Sequence, residues 1–238
     1  MSASPHHLFL YHMLGIRPYP APPERPDAPE IIQPPKPMPI TSPTKIESSQ
    51  DYHSLTELAE GLKNFQHPIK QYGQSFVFSD GDPESHIMLI GEAPGEQEDI
   101  QQKPFVGKSG QLLTRIFQMA GYTRKQLYIT NIVPWRPPKN RTPSATEIQA
   151  FTPFARHHVR LAQPKIVILV GSTPLQAFFG MQYGGITRTH GQWLPLSIDK
   201  RDIPCMPIFH PAYLLRNPSR KKDVWFDVLA MRAKLLSL

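Results

Sequence analysis

Ile87-Met-Leu-Ile-Gly-Glu-Ala-Pro-Gly95 is the stretch that decides the fold class. Four apolar residues run into two glycines that flank Glu92, the pattern of a buried strand whose carboxyl end opens into a closely approachable backbone loop. In α/β proteins ligands bind at that end of a strand. Similar runs recur downstream: Leu127-Tyr-Ile-Thr-Asn-Ile-Val133, Lys165-Ile-Val-Ile-Leu-Val-Gly171 and the segment from Ile203 to Phe209. Helical patterns separate them. Leu112, Leu113, Ile116, Phe117 and Ala120 follow Lys103-Pro-Phe-Val-Gly-Lys-Ser-Gly110; Ser144 with Glu147 opens a second helix; Leu175, Ala177 and Phe178 mark a third; Lys221 to Leu236 closes the chain. Strands alternating with helices predict a three-layer αβα sandwich around a mostly parallel four-stranded sheet. Glu92, Asn131 and His210 then all stand at carboxyl ends of strands, able to meet in one crevice.

Working outward, residues 74–79 read as a further short strand, and a less regular strand is expected around Trp193. Ser54 with Glu57 heads a short helix, so the folded domain is expected over residues 51–238. Residues 17–50 are rich in proline and poor in core-forming residues, which predicts a disordered linker, preceded by a short segment over residues 1–16. Lys and Arg exceed Asp and Glu by 26 to 19, a net +7 that favours a polyanionic partner. One cysteine, Cys205, excludes an internal disulfide framework. No apolar run has the length of a membrane span, and a cytoplasmic protein is expected. Gly107-Lys108-Ser109 resembles part of a phosphate loop, but Gln102 stands where that loop needs glycine, so no triphosphate site is assigned.

Five pieces in unbroken order carry a resemblance: Gly91-Glu-Ala-Pro-Gly95 with Glu98-Asp99; Pro104-Phe-Val-Gly-Lys-Ser-Gly-Gln-Leu-Leu113; Ile129-Thr-Asn131; Arg136-Pro-Pro-Lys-Asn-Arg-Thr-Pro143; and His210-Pro-Ala-Tyr-Leu-Leu-Arg216. Together the chain resembles a family 4 uracil-DNA glycosylase, from about Gln74 onward. The resemblance implies a monofunctional enzyme that flips uracil out of DNA and hydrolyses its N-glycosidic bond. It implies that Phe105 stacks on the base, Asn131 reads the uracil edge, and His210 donates to the uracil O2. It places the attacking water at Glu92 and the backbone of Ala93, where related families carry a polar side chain. Asn140 matches a position that assists the site, and Glu98 is either a partner behind the site or the acidic first turn of a helix. For Phe105, Asn131 and His210 the alternatives are an ordinary core residue, a loop-capping amide and a structural histidine.

Lys108, Arg136, Lys139, Arg141, Arg216 and Arg220 are candidate DNA phosphate contacts, with solvated surface charge as the alternative for any one of them. Leu214 or Leu215 is the candidate wedge filling the gap left by a flipped base. The expected partner is uracil-containing DNA, bound by a monomer; the competing function is a catalytically silent DNA-binding relative, and a third is a small-molecule or nucleotide-binding α/β domain.

One departure from the family stands out. Its members commonly hold an iron-sulfur cluster on four cysteines, whereas here the corresponding regions carry His67-Pro68, Trp135 and Phe151. Aromatic side chains cannot replace thiolates as ligands, so no cluster and no metal are expected. Packing of Phe65, Trp135 and Phe151 is expected to tether those segments instead.

Overall fold

The structure is a computed structural model that describes residues 51–180 and 183–238. The expected terminal segment and proline-rich linker lie outside the described residues.

Among the described residues, six strands form one sheet: β1 (Ser79–Gly81), β2 (Ile87–Gly91), β3 (Tyr128–Asn131), β4 (Ile166–Val170), β5 (Leu194–Ile198) and β6 (Arg201–Ile208), in the order β1-β3-β2-β4-β6-β5. The middle four, β3, β2, β4 and β6, are parallel, with Gly91 opposite Asn131 and Val170 opposite Ile208. These are the four apolar runs of the sequence. Each edge adds an antiparallel strand, β1 on β3 and β5 on β6, which makes six strands where four were expected. The edges differ in position too. Residues 74–78 stay outside the ladder, and the strand expected around Trp193 begins one residue later at Leu194.

Strand alternation sorts the core into two layers. Ile87, Leu89, Ile129, Ile166, Ile168, Val170, Met206 and Ile208 face one side, against Leu113, Ile116 and Phe117 of α3 (Lys108–Met119), Leu214 of α7 (Pro211–Arg216) and Val224, Val228 and Met231 of α8 (Lys221–Leu236). Met88, Ile90, Val167, Leu169 and Cys205 face the other, against Leu58 and Leu62 of α1 (Leu55–Asn64) and Phe151, Phe154 and Val159 of α4 (Ala145–Ala162). Three shorter helices complete the order: α2 (Glu96–Gln101), α5 (Ser172–Phe179) and α6 (Ile186–Thr189). Leu89 is fully buried, and emptying such a site to alanine costs about 2–5 kcal/mol.

The order also fixes where a ligand can enter. The chain passes from β2 to β3 on one side, then crosses to β4 and β6 on the other. At this reversal the loops after β2 and β4 diverge and leave a crevice at the carboxyl ends of the parallel strands.

Candidate active site

A cavity of about 590 Å³ occupies that crevice, within the usual range for a small-ligand site. Each central strand contributes to its wall: Glu92 after β2, Asn131 ending β3, Gly171 and Ser172 after β4, and His210 after β6. Phe105 supplies an aromatic face, and Ala93, Glu98, Asn140, Arg141 and Arg216 also line it.

Gly91 explains how Phe105 and Asn131 come so close. A Cβ there would sit 2.4 Å from Phe105 Cζ and 2.4 Å from Asn131 Oδ1, so ring and amide meet over a bare stretch of backbone. Asn131 is buried, and its side-chain amide has no hydrogen-bond partner among the described residues. An amide left open at a cavity wall is available to a ligand, whereas a loop-capping amide would be satisfied locally.

His210 begins α7, and its Nδ1 accepts from the Ala212 N–H at 3.2 Å. That bond leaves the ring proton on Nε2, so the neutral ring is a donor. Loss of solvent, aided by the positive charge of Arg216 and opposed by Glu98, lowers its pKa to about 4. The ring is only partly exposed, through the cavity, and stands 5.9 Å from the Phe105 ring between centroids.

Glu92 accepts a hydrogen bond from the hydroxyl of Thr173, a buried residue in the first turn of α5. Nothing in sequence spacing tied these two together. The signal that could have done so is Gly171-Ser-Thr173 at the end of a buried strand, where Gly171 takes a φ of 103° and lies against His210. Glu98 accepts from the N–H groups of Val106 at 2.9 Å and Gly107 at 2.7 Å, which places it behind Phe105 although it also sits in the first turn of α2. Asp99 is buried, unlike an ordinary first-turn carboxylate, and takes the N–H groups of Gln74 and Ser75.

The candidate phosphate contacts divide into two sets. Lys108, Lys139 and Arg216 are exposed and form no ion pair among the described residues. The others have internal partners. Arg136 donates to Asn140 Oδ1 at 2.7 Å, Arg220 pairs with Asp223, and Arg141 forks onto Glu147 at 2.7 and 2.6 Å. The Arg141 fork, opposed by burial and aided by the Ser144 N–H, holds the Glu147 pKa down at about 2. The two wedge candidates separate completely. Leu214 is 0% exposed and belongs to the core between α7 and the sheet, so it cannot enter DNA; Leu215 is 46% exposed.

A four-cysteine cluster does not fit this chain. Cys205, the one cysteine, is fully buried within β6. The segments that would supply ligands are filled by rings: Phe151 lies 5.6 Å from Phe65, 5.1 Å from His67 and 5.9 Å from Trp135 between centroids. His67 Nδ1 already accepts from the Ile69 N–H, and Lys70 Nζ stands 5.3 Å from the Trp135 ring centre.

Residues 78–233 match the family described as the Uracil DNA glycosylase superfamily. The chain is 36% identical over 166 residues to a type-4 uracil-DNA glycosylase of Sulfurisphaera tokodaii, covering 68% of this chain and 76% of that one. It is 36% identical over 171 residues to the type-4 enzyme of Saccharolobus solfataricus, covering 70% and 79%. Against the type-4 enzyme of Thermotoga maritima it is 36% identical over 154 residues, covering 65% and 79%.

Proposed function

The chain belongs to the uracil DNA glycosylase superfamily, and we propose that its cavity receives a uracil flipped out of DNA and hydrolyses the bond from the base to deoxyribose. The observation that carries the reading is the open Asn131 amide beside the Phe105 ring, opposite a histidine whose proton is fixed on Nε2. Uracil offers a flat face, an N3–H donor with the neighbouring O4 acceptor, and an O2 acceptor. Phe105 stacks on the face, Asn131 accepts from N3–H and donates to O4, and His210 Nε2–H donates to O2.

As the C1′–N1 bond breaks, its electron pair leaves with the base, and negative charge collects on the uracil oxygens. Fixed donors at O2 and O4 lower the energy of that anion. A neutral histidine suits this role, because the donated proton need not leave the ring. Glu92, oriented by Thr173, and the main chain at Ala93 hold the water that attacks C1′, with the Glu92 carboxylate accepting its proton. The products are free uracil and an intact strand with an abasic site. No lysine is assigned as a nucleophile, so the enzyme is monofunctional.

Lys108, Lys139 and Arg216 take the phosphates around the flipped nucleotide, joined at the cavity edge by Arg136 and Arg141 with Asn140. Leu215 fills the vacated stack. The iron-sulfur cluster is absent, and the rings around Phe151 join the segments that it would tether. The folded unit spans residues 51–238 and acts as a monomer in the cytoplasm, where its substrate is uracil-containing DNA.

The competing reading is a silent DNA-binding relative, favoured by the apolar methyl side chain at Ala93, which cannot hold a water. Incubation with single- and double-stranded oligonucleotides containing one uracil, followed by alkali, separates the two. Alkali-dependent cleavage at the uracil supports the glycosylase; salt-sensitive binding without cleavage supports the relative. Iron analysis of the same preparation is expected to find none, and an iron-loaded brown protein would refute the cluster-free reading.

A further inference from the structure

Phe105 has to hold its ring against Gly91 before any base arrives, yet its own backbone resists the required conformation. Its φ of 52° lies in the left-handed region, which residues with a Cβ rarely adopt unless their surroundings impose it. We infer that Arg124, anchored by Asp80, is a positioning residue that imposes this turn and thereby sets the base-stacking face of Phe105.

Besides a 3.5 Å bond from Nη1 to the Thr114 hydroxyl, the guanidinium of Arg124 reaches three acceptors from one plane. Its Nη1 donates to the Phe105 carbonyl at 3.0 Å, its Nη2 to the Pro104 carbonyl at 2.5 Å, and its Nε to Asp80 Oδ2 at 2.6 Å. Asp80 lies in the edge strand β1, whose ladder to β3 fixes the carboxylate relative to the sheet. The next two residues of the turn are held by opposite charge, since Glu98 Oε1 takes the N–H groups of Val106 and Gly107. Three successive peptide groups, from Pro104 to Gly107, are therefore gripped, two carbonyls by a cation and two amides by an anion. Such charge-assisted bonds are about twice as strong as neutral ones.

Close packing completes the clamp. At Gly110 a Cβ would fall 2.0 Å from both the carbonyl carbon and oxygen of Phe105, so only a glycine lets the first turn of α3 close over the turn. Arg124 itself is absent from the cavity wall and cannot touch the base. Its effect on catalysis must pass through Phe105. Only a forked, planar cation can reach both carbonyls and the carboxylate together, so lysine is a poor substitute. A platform fixed in advance spends no binding energy on ordering itself when the base enters.

This inference rests on the glycosylase reading, so uracil release by the wild-type chain is measured first. Arg124→Ala is then expected to lower kcat by about 10- to 100-fold, the scale of an ångström-sized misplacement of a site group. Inhibition by free uracil should weaken in parallel, while affinity for an abasic-site duplex stays within about twofold. Arg124→Lys and Asp80→Asn, which each remove part of the clamp, should fall between Arg124→Ala and wild type, and they carry the test if Arg124→Ala does not fold. Folded variants whose kcat and uracil inhibition match wild type would overturn the inference. So would equal losses in uracil inhibition and abasic-site binding, which would mark a general distortion. A folded wild type that releases no uracil overturns the glycosylase reading itself, and the inference with it.

Discussion

Adding one methyl group at Gly91 tests the site without changing any group assigned to the chemistry. Gly91→Ala demands no unusual backbone, because this residue is the last of β2 and is not among the glycines with positive φ. The new Cβ would meet Phe105 Cζ at 2.4 Å, Phe105 Cε2 at 2.5 Å and Asn131 Oδ1 at 2.4 Å. Ordinary contact begins near 3.4 Å, so ring and amide must each withdraw by about 1 Å or the strand must shift. Both belong to buried residues, and overpacking at such a place costs about 1–3 kcal/mol of stability. The larger effect should fall on catalysis, since a displacement of this size at a reacting site costs about 100-fold in rate. Steady-state release of uracil from a labelled oligonucleotide measures kcat/KM, and thermal unfolding reports the stability term separately. A folded Gly91→Ala protein with kcat/KM within about twofold of wild type would refute the placement of the base between Phe105 and Asn131.

Further outcomes follow from the same geometry. Leu214→Ala should lose about 2–5 kcal/mol of stability in denaturant unfolding, whereas Leu215→Ala should unfold like wild type but process duplex DNA more slowly than single strands; matching behaviour of the two would contradict their opposite burial. Because the His210 pKa lies at about 4, kcat/KM should show no ionisation of this residue near its ordinary value of about 6.5. An acid limb near 6.5 that disappears in His210→Gln would disprove the neutral donor. His158 is buried, accepts from Tyr128 or donates to it across 2.7 Å, and has a pKa lowered to about 3 by burial. Below about pH 6.5 the unfolded chain binds a proton that the folded chain refuses, so stability is full above that pH. It should then fall by about 1.4 kcal/mol per pH unit from this residue as pH drops toward 3. Urea unfolding across pH 7 to 4 checks this, and His158→Gln should flatten the slope.

The central strands were legible because a parallel strand covered on both faces is an uninterrupted apolar run, as in Ile87-Met-Leu-Ile90 and Ile166-Val-Ile-Leu-Val170. The edges were harder to read. β1 is three residues long and contains Asp80 and Gly81, while β5 carries Pro195 and buries only alternate residues. Glu92, Asn131 and His210 were legible as cavity-wall residues because they are polar groups at the carboxyl ends of such runs, whereas Phe105 was picked out only by the family resemblance. Asp99 and Arg124 could not be read in this way. Their roles are hydrogen bonds with backbone atoms brought near by folding, N–H donors for Asp99 and carbonyl acceptors for Arg124, and backbone groups leave no mark in a sequence. Adjacent Leu214 and Leu215 were indistinguishable for a similar reason, since the docking of α7 on the core selects which one turns inward.

The most direct measurement is the time course of free uracil released from an oligonucleotide carrying one uracil, with wild type beside Asn131→Ala and His210→Ala. Wild type should release one uracil per strand and leave that strand whole until alkali is added. Each variant should be slower by about 100-fold or more, the usual scale for removing a donor to a developing anion. Variants as fast as wild type would contradict the site, and a folded wild type that releases no uracil would contradict the function.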